Sequence, residues 1–163
     1  MPSTITPFGI FHTAVSLLPI GFGLYAYARN GKIDPRTQVG KLYLVTMLIG
    51  CVTGLGIFHH GGFGPGHVLS IVTILFLFLG TFAERIGWFG RGAAYVETIS
   101  LSTTFMLLMF FLTTETLTRL PAEHPFAPSQ EAPELLPVRL TLLVAFLAGI
   151  GYQVYRLRAA KRA

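Results

Sequence analysis

The chain has 163 residues, 52% of them apolar and only 12% charged. That length is one domain, and a soluble domain of this size has too little interior for so much apolar surface, whereas a bilayer accepts it in runs of about 20 residues. The formal net charge of +5 does not point to nucleic acid, because the basic residues gather at the ends of apolar runs and form no stripe with interleaved aromatics.

Five apolar runs follow in order, over about 8–28, 39–58, 67–86, 93–117 and 137–155. Each is long enough for a ~30 Å hydrocarbon core. With no water there to satisfy an open backbone, each is expected to be a helix. The reading is an all-α, polytopic membrane bundle of five transmembrane helices forming one domain over 1–163, with the lipid bilayer as its first partner. No basic segment precedes the first run, so a cleavable signal peptide is not expected. Arg29, Lys32, Arg36, Lys41, Arg85, Arg91, Arg156, Arg158, Lys161 and Arg162 fall on one side, and only Arg119 and Arg139 on the other. By that asymmetry the N-terminus is expected outside and the C-terminus in the cytoplasm; with a Gram-negative bacterial source the membrane would be the inner one and the outer side the periplasm.

The first connection, Asn30 to Pro35, has turn composition, with Asp34 expected to cap the second helix and Pro35 to occupy its first position. The fourth connection, Pro121 to Pro133, is long and proline-rich, and its His124 is expected in solvent. Gly50 and Gly54 in the second run, and Ala145 and Gly149 in the fifth, have the spacing that lets two helices approach closely, while Leu48 is expected to face lipid. Cys51 is the only cysteine and reads as a small packed residue, without a disulfide or a metal motif.

Polar residues at membrane depth carry more information, because they cost free energy there. His12, Ser16, Pro19 and Gly23 share a helix face, as do Thr46, Thr53 and His60. His67, Ser70, Leu77, Thr81 and Glu84 form a third stripe, and Glu97, Ser100, Thr104, Phe111 and Glu115 a fourth. Glu97 and Glu115 lie ~27 Å apart along one helix. Glu84 with Arg85, and Glu97 with Arg91, are expected to form local ion pairs at the cytoplasmic interface.

The segment from Gly56 to His67 is rich in glycine and holds His59, His60 and His67. With the expected orientation, His12, His59, His60, His67 and Glu115 converge on the outer side from four helices. Neutral imidazole ligates zinc, copper, iron and haem. His60 and His67 are the expected core of such a site, His12 the third member, and His59 and Glu115 alternates. Two other readings use the same residues: interfacial polar groups around a glycine turn, and a proton-transfer or quinone-type site. No HExxH, GxSxG or phosphate-binding glycine loop is present.

Three segments carry a resemblance: Arg36-Thr37-Gln38-Val39-Gly40-Lys41-Leu42-Tyr43, then Phe63-Gly64-Pro65-Gly66-His67-Val68-Leu69-Ser70, then Thr113-Thr114-Glu115-Thr116-Leu117 through Pro121. Together they resemble a family of small bacterial multi-span membrane proteins of unknown function, with an FxPxHxLS-type motif at the start of a helix. Only His67 carries over residue by residue; Thr37 and Gln38 stand where a histidine is often found. The resemblance implies a fold and no activity.

The functional expectation is a metal- or haem-binding protein of electron-transfer type, holding haem b or a transition metal at the outer histidines. The alternative is a non-catalytic accessory subunit that packs against a membrane protein partner, or against copies of itself. A membrane metal-dependent hydrolase ranks third, and no nucleic acid is expected.

Overall fold

The computed structural model describes residues 6–57, 62–121 and 123–161. Five helices are long and apolar enough to cross a membrane: α1 (Pro7–Asn30), α2 (Gln38–Leu55), α3 (Pro65–Phe82), α4 (Ala93–Arg119) and α5 (Leu136–Ala160). A short 3-10 stretch, Gly87–Gly92, precedes α4, and another, Pro133–Leu135, leads into α5. No strand occurs among the described residues.

The helix ends follow from local chemistry. Thr6 caps α1 by accepting the Gly9 N–H at 3.1 Å, and Pro7 stands at the first helical position, where a missing N–H costs nothing. Gly31 ends α1 at φ +72°, and its N–H returns to the Tyr27 carbonyl. The cap of α2 differs from expectation. Thr37, not Asp34, accepts the Gly40 N–H at 3.0 Å. The Asp34 carboxylate is already taken by Arg36, through the backbone N–H at 2.9 Å and Nε at 2.8 Å, so Pro35 stays in the turn. Gly40 permits this turn: a Cβ there would lie 1.8 Å from the Asp34 carbonyl oxygen. At its other end α2 stops at Leu55, short of residue 58, as Gly56 turns its N–H back to Thr53. α3 ends at Phe82 rather than at 86, while α4 and α5 overrun the expected spans.

Each helix packs on the next, and α1 also touches α4. The core lies among the first four, where Ala26, Tyr43, Met47, Cys51, Leu77 and Leu101 meet. Leu48 packs against this core, which corrects the expectation that it faces lipid. The buried set is otherwise notably polar: Thr46, Thr73, Glu97, Thr98, Ser100, Ser102 and Thr104 are inside, while Val45, Val52, Leu75 and Val144 are exposed. That inversion suits a hydrocarbon surround. Interior hydroxyls bond to one another or to backbone carbonyls, as in the 2.8 Å pair Tyr43–Thr104 and the Thr46 bond to the Leu42 carbonyl.

The two small-residue motifs are used differently. Positions for a Cβ on Gly50 and Gly54 lie 3.2 Å from Ser16 Oγ and from His12 and Ser70, so α1 and α3 close directly on α2. Gly149 on α5 has nothing within 4 Å, and α5 rests mainly on α4.

Candidate functional site

Polar chemistry collects at two ends of the bundle. At the histidine end, His12 of α1 places Nδ1 2.9 Å from Thr53 Oγ1 of α2. The Thr53 hydroxyl, which has one proton, also lies within hydrogen-bond distance of two backbone carbonyls, Ile49 at 2.8 Å and Gly50 at 3.1 Å. With that proton given to a carbonyl, Thr53 accepts and His12 Nδ1 donates. This assigns His12 the tautomer whose lone pair is on Nε2.

His67 is buried at the start of α3. Its Nδ1 accepts the Gly64 N–H at 3.1 Å, closing the first turn of its own helix. A neutral His67 must therefore carry its proton on Nε2, the opposite tautomer. Phe63 stacks on the ring with centroids 5.1 Å apart. One turn further along α3, Ser70 Oγ faces His12 Cε1 across Gly54. Phe8 lies over Gly56, and Phe111 over Gly66. The structure thus gathers His12, Thr53 and Ser70 from three helices, with His67 one turn away. His59 and His60 lie outside the described residues.

Glu115 is held elsewhere. Its Oε2 pairs with Arg119 at 2.6 Å and its Oε1 accepts from Gln130 Nε2 at 2.6 Å. The Gln130 carbonyl in turn accepts from Arg139, which also covers the Phe110 ring. Glu115 therefore ties the end of α4 to the fourth connection and α5. His124 is exposed, as expected. Among the described residues no three potential metal ligands stand together. The His67 bond to Gly64 also works against the expected metal role: a metal on Nε2 requires the proton on Nδ1, where the Gly64 N–H already points.

At the basic end a buried carboxylate organises the first connection. Glu97 is 1% exposed, and its Oε1 receives Lys32 Nζ at 3.0 Å and Arg36 Nη2 at 2.8 Å. The same guanidinium reaches Glu84 at 2.6 Å and Asp34 at 2.8 Å. One arginine so joins the first connection to the end of α3 and the head of α4. These bonds replace the expected local pairs with Arg85 and Arg91. Burial alone would raise the Asp34 pKa, but the Arg36 hydrogen bonds and the Lys32 and Arg36 charges hold it below its ordinary 3.8.

Sequence reading singled out Glu97 and Glu84 but not their partners, which lie 61 and 65 residues from Glu97 for the two cations. The available signal was a short connection with two cations opposite an acid on a polar helix stripe. No family model, curated protein or solved structure matches the chain.

Proposed function

We propose that this is a multi-pass protein of a bacterial inner membrane, N-terminus outside and C-terminus cytoplasmic, that holds a quinone-type ligand at its outer histidine end. The ligand class follows from hydrogen-bond roles. A quinone carbonyl needs a donor, and a quinol hydroxyl needs an acceptor. His67 Nε2–H is a donor and His12 Nε2 an acceptor, by the bonds each ring makes at Nδ1. Phe8, Phe63 and Phe111 add the aromatic surroundings suited to a flat ring. The bonds at the two Nδ1 atoms, from which the opposed tautomers are inferred, carry this reading. The protein then works beside a redox partner in the membrane, and the unpacked Gly149 face of α5 supports a helix-packing partner.

A single metal ion is the second reading, favoured by the Nε2 lone pair of His12. It would draw its other ligands from His59 and His60. The close approach of His12 and Ser70 over Gly54 disfavours a haem between these helices.

The test is the content of protein purified from native membranes, followed by titration with a short-chain quinone. The reading predicts about one extractable quinone per chain. Either His12→Leu or His67→Leu should weaken binding about tenfold, the worth of one hydrogen bond. Stoichiometric metal without quinone would support the second reading. Protein that binds neither would remove ligand binding from this end.

A further inference from the structure

A second site opens at the basic end, sharing Lys32 with the Arg36 network. A cleft of about 180 Å³ lies between the end of α1, the head of α4 and the end of α5. Asn30, Lys32, Thr98, Gln153 and Arg156 supply its polar lining. Its volume is several times the ~30 Å³ share of one water molecule.

The groups that line the cleft divide by use. Gln153 is spent on structure: its Nε2 donates to the Gly31 carbonyl at 3.0 Å and its Oε1 accepts from Ser102 at 2.9 Å, joining α5 to α1 and α4. Lys32 is pulled toward Glu97 at 3.0 Å and Asp34 at 4.0 Å. Arg156 is different. It lies 6.0 Å from the Tyr152 ring centroid and 3.3 Å from the Cβ position of Gly31, and it forms no ion pair with any described acid. Thr98 is different too. It is 1% exposed, and its Oγ1 has no hydrogen-bond partner among the described residues. Two other buried threonines satisfy their hydroxyl within their own helix, Thr46 on the Leu42 carbonyl and Thr104 on the Leu101 carbonyl. A buried hydroxyl without a partner is costly, so one placed on a cleft beside an arginine without an ion pair marks a ligand position.

We infer that this cleft binds a phosphate group, with Arg156 and Lys32 supplying charge and Thr98 Oγ1 the directional donor. Phosphate fits better than carboxylate, since three donors approach from the first connection, α4 and α5 and a phosphate offers oxygens in three directions. The phosphate belongs to an anionic lipid headgroup or to a free phosphate compound. Basic pockets between helices at a membrane surface take such headgroups.

The experiment uses the purified full chain in detergent, with thermal unfolding and native mass spectrometry as readouts. Added phosphatidylglycerol should raise the unfolding temperature and remain bound, and phosphatidylcholine should do neither. Arg156→Gln, on an exposed side chain, and the near-isosteric Thr98→Val should each weaken retention about tenfold, one charge-assisted hydrogen bond or one hydroxyl donor. Arg158→Gln, two residues on and facing another direction, should leave it unchanged. Stabilisation by inorganic phosphate as well would assign the site to phosphate from either source; stabilisation by the lipid alone would assign it to the headgroup. Equal retention in wild type, Arg156→Gln and Thr98→Val, or no preference for phosphatidylglycerol and none for phosphate, would overturn the inference.

Discussion

The two ends of the bundle treat buried polarity in opposite ways. At the basic end, charges are spent on one another: Lys32 and Arg36 converge on Glu97, and Arg36 also spans Asp34 and Glu84. That arrangement joins three segments and consumes the carboxylate that organises it. At the histidine end His12 and His67 each bond a neutral group. One ring is fixed by a threonine and the other by a backbone N–H. Each bond sets a tautomer and thereby gives the second ring nitrogen a defined role. The lesson is that burial of an ionisable group does not by itself mark a site. The most deeply buried acid here serves the fold, where it receives Lys32 and Arg36.

Six substitutions, with Val52→Ala as the control, test that contrast. Glu97→Ala leaves Lys32 and Arg36 facing an emptied site and should cost about 3 kcal/mol, the lower part of the range for breaking a buried pair because both cations are partly exposed. Glu115→Ala breaks a more exposed pair and should cost about 1 kcal/mol or less. Unfolding midpoints in detergent measure both, and equal losses would erase the distinction between a buried latch and a loop tie. Gly54→Leu should cost about 1–3 kcal/mol by forcing His12 and Ser70 apart, and it should weaken ligand binding at the histidine end in the same step. Val52→Ala, on an exposed side chain of the same helix, should change neither stability nor binding.

Thr53→Val removes the acceptor that fixes His12 and should cost about 1 kcal/mol, with a larger proportional loss in quinone affinity than in stability. Acidification gives the smallest effect. Asp34 has a folded pKa below its ordinary 3.8, so its contribution is fully present above that pH and is lost as the pH falls through the lower folded value. The stability of Asp34→Asn should therefore fall less steeply below pH 3.8 than that of the wild type.

Much of the fold was legible because the bilayer permits so few solutions. Five apolar runs without a strand pattern had to become helices, and their polar stripes had to turn inward. The His12, Ser16, Pro19, Gly23 face illustrates this: His12 reaches Thr53 and Gly54, Ser16 reaches Gly50, and Gly23 meets Phe105 and Tyr43. Helix spacing alone placed those four residues on one side. The ionic network was not legible to the same degree. Nearby arginines offered simpler partners for Glu84 and Glu97, and the actual partners come together only when the first connection folds under α3 and α4. Asp34 and Thr37 were both able to cap α2, and the choice turned on Arg36 claiming the Asp34 carboxylate. The histidine tautomers depend on hydrogen-bond partners three and 41 residues away, which composition and spacing do not reveal.

The central claim is that His12 and His67 hold opposite neutral tautomers. Nitrogen-15 NMR of histidine-labelled protein in detergent at neutral to mildly alkaline pH tests it directly, with His12→Gln and His67→Gln assigning the signals. The account predicts a protonated Nδ1 on His12 and a protonated Nε2 on His67. The same tautomer on both rings, or the reverse assignment, would contradict it.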